Sequence, residues 1–371
     1  MKIMTRTTAS MRFKLAGTAV AVIMATGTMA TAANAQESVR WQVPIAFPSN
    51  LVGLSTPVVH LSESLEAVSG GNINLRYYEP GELIPPFEIL DAVSEGQYPA
   101  GFTWVGYDQG SIPSLPLYSG APFGMEPSSY LAWHYHGDGH ELLKEIYEPY
   151  NVHPLLCSMI GPEAAGWFAD PVESLDQMDG LRIRFAGIGG RVMERLGASV
   201  TMLPGGELYQ AMERGTIDAT EFSAPAVDRI LGMQEIVNNY LMPGWHQTFT
   251  TAHLLINKDS WEGLEDATRA QIEMGCRSAT LFGLSESEWE NPLALQGFVE
   301  EGVNAQVLPE EVLQELRSIT YEVQQEIAEE DEMFRRVLDS QQDWMRIHGE
   351  WRTKGYLPKE YYLPENIQQL D

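Results

Sequence analysis

The chain has little cysteine and few basic residues, and each shortage excludes a class of protein. Cys157 and Cys276 are the two cysteines among 371 residues, too few for a disulfide scaffold. An oxidising compartment permits a bridge between them, and two separate buried thiols are the alternative. Lysine and arginine number 23 against 51 aspartate and glutamate residues, a net charge of −28. Because such a protein repels phosphate backbones, we exclude nucleic acid as a partner.

Long apolar runs are missing beyond the N-terminus. There, a basic region (Lys2, Arg6, Arg12, Lys14) precedes an apolar stretch that ends at the A-x-A site Ala33-Asn34-Ala35. Residues 1–35 are therefore predicted to be a cleaved signal peptide of a periplasmic protein. A membrane span is disfavoured, because Thr and Gly interrupt the run and no stop-transfer charges follow. Cleavage leaves 19 basic residues against 51 acidic ones, a net charge of −32.

Catalytic signatures are missing as well. The sequence contains no G-x-S-x-G, H-E-x-x-H or Cys-His constellation, so we predict that the protein is not an enzyme. A periplasmic hydrolase or nucleotide-dependent enzyme on an α/β fold is the alternative. Gly187-Ile-Gly189-Gly190 resembles a phosphate-binding turn. Since the third glycine of that fingerprint is missing, we interpret the segment as a tight turn that lets a helix pack on a strand.

A histidine-rich segment is the one candidate for a transition-metal box. His134, His136, Asp138 and His140 offer metal-binding groups. Two glycines interrupt the helix that would place His136 and His140 on one face. We therefore predict a surface cluster of histidines rather than a metal centre.

Residues 181–222 organise the rest of the chain. They follow a βαβαβ pattern in which a glycine or proline marks each change of element. Such a unit forms a parallel sheet, and ligands bind at the carboxyl ends of parallel strands. Arg184 closes the first strand and Glu221 follows the third, so both are expected to face one crevice.

The N-terminal third repeats this pattern faintly. Gly81-Glu82, a helix, Glu95-Gly96 and Ala100 correspond to Gly206-Glu207, a helix, Arg214-Gly215 and Ala219. Two similar α/β lobes with a cleft between them explain the repeat, and common helix-then-strand punctuation is the alternative. About 335 mature residues also favour two lobes over one core. The Pro-, Ser- and Gly-rich residues 110–124 are predicted to form a surface loop.

The charged residues at the crevice have specific chemistry. Arg184 can grip a carboxylate with its planar donor fork, and an internal ion pair with Glu221 or Glu163 is the alternative. A carboxylate facing an anionic ligand repels it unless a cation lies between them. Glu221 and Glu163, with backbone carbonyls, suit sodium or calcium; an ion pair of Glu221 with Arg184 and no metal is the alternative.

At these residues the chain resembles the substrate-binding proteins of TRAP transporters, in the branch that takes 2-oxo and 2-hydroxy monocarboxylates. The resemblance covers nearly all of the mature chain. The most specific segments are 180–184 (GLRIR), 189–198 (GGRVMERLGA), 203–209 (LPGGELY), 215–219 (GTIDA), 242–245 (MPGW) and 257–261 (NKDSW).

The resemblance implies a two-lobe α/β periplasmic binding protein with a helical C-terminal third. It implies that Arg184 clamps a small carboxylate and that Glu221, with the carbonyl of Phe222, helps to hold Na⁺ or Ca²⁺. Gln247 stands where a further metal or substrate ligand is expected, and Tyr107 is a candidate hydroxyl donor. Phe222 replaces the usual tryptophan. Glu163 replaces the usual glutamine, which adds negative charge and favours a divalent ion or a different substrate.

The same resemblance implies the division of the chain and its partners. We expect lobe 1 at 36–157 with about 250–290, lobe 2 at 158–249 with about 291–330, and a helical tail at about 331–371. Membrane subunits of a TRAP transporter are the implied protein partners. A homodimer through the C-terminal helix is permitted by apolar residues between Trp344 and Trp351.

Overall fold

The structure is a computed structural model that describes residues 37–358 and residue 361. The predicted signal peptide lies outside the described residues. The strands are β1 (Val39–Pro44), β2 (Ile73–Tyr78), β3 (Ala100–Thr103), β4 (Val152–Ile160), β5 (Gly166–Phe168), β6 (Arg182–Arg184), β7 (Ser199–Thr201), β8 (Ala219–Thr220), β9 (Asn239–Met242), β10 (Thr250–Asn257) and β11 (Asn304–Val307). The helices are α1 (Thr56–Val68), α2 (Ile89–Ser94), α3 (Pro127–His136), α4 (Gly139–Tyr147), α5 (Gly187–Arg195), α6 (Leu208–Glu213), α7 (Pro225–Leu231), α8 (Lys258–Glu262), α9 (Asp266–Glu300), α10 (Glu310–Glu330) and α11 (Glu332–Gly355).

The fold has two α/β lobes, as predicted. In one, β1 pairs with β2, β10 lies between β3 and β4, and a parallel bridge from Ile45 to Phe102 links the two sheets. In the other, six strands follow the order β11-β9-β5-β8-β6-β7. None of the described helices is both apolar enough and long enough to span a membrane.

The predicted βαβαβ unit is present in the second lobe. Strand β6 pairs in parallel with β7 on one side and with β8 on the other, and α5 and α6 connect them. The register places Arg184 opposite Thr220, so the residues that follow both strands emerge at the same edge.

The internal repeat is also present. Strand β1 lies between β2 and the bridge to β3 just as β6 lies between β7 and β8, and all four pairings are parallel. Helices α2 and α6 have six residues each and are followed by Gly96 and Gly215, which have φ of 74° and 64°. Both lobes therefore bring the ends of their central strands to comparable positions.

Cys157 on β4 and Cys276 on α9 form a disulfide, so the alternative of two separate thiols is wrong. Both half-cystines are buried in a core cluster that contains β1, β2, α1 and β10. The bridge thus fixes the longest helix to the sheet of the first lobe.

Residues 110–124 do not form the predicted surface loop. Leu115, Leu117 and Tyr118 are fully buried, and the Tyr118 carbonyl accepts hydrogen bonds from the Tyr130 and Thr251 side chains. Their Pro, Ser and Gly content reflects irregular backbone in the core, where side-chain hydroxyls satisfy carbonyl groups.

Candidate functional site

A buried cavity lies where strands β6 and β8 end. Arg184 is the last residue of β6 and Glu221 directly follows β8. The cavity measures about 20 Å³, room for about one water molecule, so it must widen to take in any organic ligand. Its lining consists of Phe47, Leu54, Trp104, Tyr107, Glu163, Arg184, Ala186, Glu221, Phe222, Gln247 and Thr250. All six residues predicted for the site (Arg184, Glu163, Phe222, Tyr107, Gln247 and Glu221) are therefore brought together.

Arg184 is buried, with 2% of its side chain exposed, and its guanidinium is only partly engaged. Nη1 forms an ion pair with Glu221 Oε1 at 2.9 Å and donates to the Glu221 carbonyl, while Nε donates to the Leu203 carbonyl. Within residues 37–358, the Met202 sulfur, a weak acceptor at 3.8 Å, is the one partner of Nη2. The internal ion pair is thus present, and Nη2 keeps donor capacity for a ligand.

Among the side chains that the structure describes, Glu221 keeps one carboxylate oxygen without a hydrogen bond. Oε1 accepts from the backbone N–H of Ala186 and pairs with Arg184, whereas the buried Oε2 has no hydrogen bond. An unpartnered buried carboxylate oxygen costs free energy unless a cation or donor satisfies it. Among the described residues, Glu221, Glu163 and His246 form the one group of acidic, histidine or cysteine side chains close enough to share a cation, with ligand atoms within 4.8 Å of one another.

Glu163 is held by two residues that the sequence analysis missed. Thr250 Oγ1 donates to Glu163 Oε1, and His246 Nε2 lies 3.2 Å from Glu163 Oε2. Burial raises the pKa of Glu163 above its ordinary value, and the hydrogen bond with His246 acts in the opposite direction. His246 stands between Trp245 and Gln247. Because both neighbours belong to the segments that pointed to the site, their positions could have identified His246 as a site residue.

The wall of the cavity contributed by the first lobe is aromatic. Phe47 lies two residues after the bridged Ile45, and Trp104 directly follows β3. The Tyr107 ring packs 5.7 Å from Phe47 and 5.1 Å from Trp104, between ring centroids. Burial raises the pKa of Tyr107, so its hydroxyl stays protonated and can donate to a ligand. The internal repeat matches the ends of β1 and β3 with the ends of β6 and β8. This match could have identified Phe47 and Trp104 as candidate cavity residues from the sequence.

Phe222 and Gln247 complete the predicted set. The Phe222 ring lies under the Arg184 guanidinium at 5.3 Å, a cation–π contact. Gln247 Nε2 donates to Thr250 Oγ1 at 2.7 Å, and the Gln247 carbonyl accepts from the backbone N–H of Glu163 at 3.2 Å. Gln247 therefore fixes the segment that carries Glu163.

The Gly187–Gly190 segment serves packing. Gly187 has φ of 66°, and a Cβ on Gly189 would lie 2.4 Å from Phe185 Cε1 and 2.8 Å from His246 Cβ. The glycines thus allow α5 to approach Phe185, which follows β6, and the Cβ of His246. This agrees with the interpretation as a tight packing turn.

The histidine-rich segment is not the predicted surface cluster. His134 is fully buried and His140 half-buried, while His136 is exposed, because α3 packs its inner face on the core and α4 begins anew at Gly139. The rings of His134 and His140 lie 5.5 Å apart, and burial lowers the pKa values of both. The sequence pattern did not reveal that helix packing removes part of the segment from water.

The family model for DctP, bacterial extracellular solute-binding protein family 7, matches residues 49–331. A monocarboxylate 2-oxoacid-binding periplasmic protein of Nostoc sp. (strain PCC 7120) is 30% identical over 328 residues, which cover 88% of this chain and 89% of the relative.

Two solved TRAP solute-binding proteins have similar structures. One, from Bordetella bronchiseptica RB50, is a dimer with copurified calcium and picolinate; it is 28% identical with a TM-score of 0.83, and the match covers 85% of this chain and 94% of that one. Another, from Pseudoalteromonas atlantica T6c with bound sodium and pyruvate, is 26% identical with a TM-score of 0.84, over 90% of this chain and 100% of that one. These relatives are solute-binding proteins, so the alternative of a hydrolase or nucleotide-dependent enzyme has no support.

Proposed function

Because the chain belongs to the DctP family of bacterial extracellular solute-binding proteins, we propose that it binds a small 2-oxo or 2-hydroxy monocarboxylate in the cavity between its lobes. The main support for this proposal is a group of three buried charged side chains. Arg184 and Glu221, at strand ends of the second lobe, lie beside Glu163 and face an aromatic wall. The protein is a receptor of TRAP type and breaks no bond.

Arg184 pairs with the ligand carboxylate through Nη2, which contacts the weakly accepting Met202 sulfur. Arg184 is the one lysine or arginine in the cavity lining, and the opposite wall is Phe47, Leu54 and Trp104. A second carboxylate on the ligand would be buried against apolar groups without a counter-charge. The lining therefore favours a monocarboxylate, with the Tyr107 hydroxyl donating to its 2-oxo or 2-hydroxy oxygen.

A cation, Na⁺ or Ca²⁺, bridges the ligand and the acidic side of the cavity. Glu221, Glu163, Gln247 and the carbonyl of Phe222 are the proposed ligands, and their oxygen donors suit these hard cations. The unpartnered Oε2 of Glu221 supports the fit. The cation supplies the positive charge that lets a carboxylate approach two buried carboxylates.

The two lobes close over the ligand by a hinge motion driven by contacts to both walls. We assign lobe 1 to 36–157 with about 250–290, lobe 2 to 158–249 with about 291–330, and the tail to about 331–371. The location of Cys157 and Cys276 in one core cluster agrees with their placement in lobe 1.

Proteins of this family are periplasmic and deliver their ligands to TRAP membrane components. We propose that residues 1–35 direct export and that the chain forms a homodimer through its C-terminal helix. Trp344 is engaged within the chain, where its Nε1 donates to the Ser129 carbonyl at 2.9 Å. Ile347 and Trp351 remain about 60% exposed and are the apolar surface available to a second copy.

A thermal-shift screen of small carboxylates tests the proposed function. The mature protein is heated with each acid in calcium-containing and calcium-free buffer. At a ligand concentration of about 100 times Kd, the expected stabilisation is roughly 2.7 kcal/mol. If no 2-oxo or 2-hydroxy acid moves the melting curve in either buffer, the proposal is wrong.

A further inference from the structure

His246 presents a ring nitrogen to the two carboxylates that we propose as cation ligands. Nε2 lies 3.2 Å from Glu163 Oε2 and 4.0 Å from Glu221 Oε2, and each of the three side chains is 1% exposed. Two atoms bound to one cation at about 2.0–2.6 Å can be at most about 4–5 Å apart. The three atoms therefore lie within reach of one ion.

The position of the imidazole is fixed by its surroundings. The His246 ring packs edge-on against Phe185, with centroids 4.8 Å apart, and its Cβ abuts Gly189, where an added Cβ would lie 2.8 Å away. These contacts restrict the ring to the acidic side of the cavity. Packing thus preorganises the nitrogen before any ion binds.

The charges of the buried groups decide the valence of the ion. Because metal ligands are deprotonated, two ligating carboxylates, a neutral ligating imidazole and the Arg184 guanidinium sum to −1. A monovalent cation brings the sum to zero, and a bound monocarboxylate then leaves an uncompensated negative charge in a buried site. A divalent cation brings the sum to +1, which one monocarboxylate neutralises.

We infer that His246 is a nitrogen ligand of the cation and that the site favours a divalent transition ion over Na⁺; Mn²⁺ is the spectroscopic probe for this nitrogen. Imidazole nitrogen suits zinc, copper, iron and nickel, whereas carboxylate and carbonyl oxygens suit calcium, magnesium and manganese. This inference rests on the cation site proposed above. It adds a ligand that determines which cation is selected.

Pulsed electron paramagnetic resonance on the Mn²⁺-loaded protein, after chelation and dialysis, tests the nitrogen ligand directly. The wild type is expected to show ¹⁴N modulation from a coordinated imidazole, and the exposed control His136→Gln should show the same modulation. His246→Gln should lose it. Since the wild-type spectrum does not depend on the folding of a variant, the test stands even if His246→Gln unfolds.

Calorimetric titrations separate this inference from the cation site itself. His246→Gln is expected to weaken Mn²⁺ binding at least about tenfold, a lower bound for the loss of a ligand, and to weaken Ca²⁺ binding far less. In the wild type, about 150 mM NaCl should not displace Mn²⁺. If Ca²⁺ binds and the wild-type Mn²⁺ spectrum lacks ¹⁴N modulation, His246 only pairs with Glu163 and this inference is wrong. If neither ion binds, the proposed cation bridge falls as well.

Discussion

At the scale of the residue, Arg184 combines a structural ion pair with a donor left for the ligand. Replacing it with alanine would leave Glu221 buried without its partner, at a cost of about 3–5 kcal/mol in stability. Arg184→Lys keeps the charge but loses the planar fork. We expect it to weaken pyruvate binding about 10- to 100-fold by calorimetry, since a charged hydrogen bond contributes about 1.5–3 kcal/mol.

Arg182 provides the matched control for this substitution. It lies on the same strand, is half exposed and pairs with Asp218 at the surface. Arg182→Lys should leave ligand affinity unchanged. If Arg184→Lys binds the ligand as tightly as the wild type, the role of Arg184 is the ion pair with Glu221 and not ligand binding.

Asp228 is a buried carboxyl whose ionisation is predicted to destabilise the fold. It accepts from Trp167 Nε1 and Tyr240 Oη at 3.0 Å each, yet burial raises its pKa to about 7 from 3.8. The folded state then binds more protons than the unfolded state between these values, so stability falls as pH rises through this window. Relative to Asp228→Asn, the wild type should lose about 3 kcal/mol of unfolding free energy between pH 5 and 8.

Urea denaturation at four pH values across that range measures the effect. Asp218→Asn is the control, because the ion pair with Arg182 lowers the pKa of Asp218 and its contribution is lost only in acid. Parallel stability curves for wild type and Asp228→Asn would contradict the raised pKa of Asp228.

The sequence predicted individual site residues where a strand end marks them. Arg184 and Glu221 follow a clear alternation of strand and helix, so their common edge could be inferred. His246 and Thr250 lie in or just beyond a turn whose position depends on hydrogen bonds between distant segments, such as Glu163 N–H to the Gln247 carbonyl. No local pattern encodes such a contact.

At the scale of the element, the disulfide joins β4 to α9 across 119 residues of chain. Closing so long a loop restricts the unfolded state. We expect Cys157→Ala/Cys276→Ala to lower the unfolding free energy by about 2–5 kcal/mol in urea denaturation. An unchanged midpoint and slope would show that the bridge does not stabilise the fold.

Ligand affinity serves as the control for the disulfide variant. The half-cystines belong to a core cluster distinct from the one that includes Phe47, Trp104 and Phe222 of the cavity wall. Affinity should therefore be preserved in the folded variant.

Elements with strong periodicity were predicted well, and irregular ones were not. The repeat β1-α1-β2-α2-β3 and β6-α5-β7-α6-β8 could be read from glycines and apolar alternation. Residues 110–124 have the composition of a loop, but Leu115 to Tyr118 fill the core because neighbouring helices cover them. Composition alone does not reveal which irregular segments are buried.

At the scale of the whole molecule, the two lobes contribute unlike chemistry at equivalent strand ends. The first lobe provides Phe47 and Trp104, and the second provides Arg184 and Glu221. A small ligand with one charged and one apolar end matches this division. The net charge of the chain and two buried carboxylates oppose the approach of an anion, and the proposed cation offsets this repulsion.

Calorimetric titration of pyruvate into cation-depleted mature protein tests whether ligand capture depends on a cation. The titration is made in sodium-free buffer, with and without Ca²⁺. We predict saturable binding with Ca²⁺ and at least about tenfold weaker binding without it, a coupling of about 1.4 kcal/mol. Equal pyruvate affinity in both buffers, or no binding in either, would contradict cation-dependent capture of a monocarboxylate.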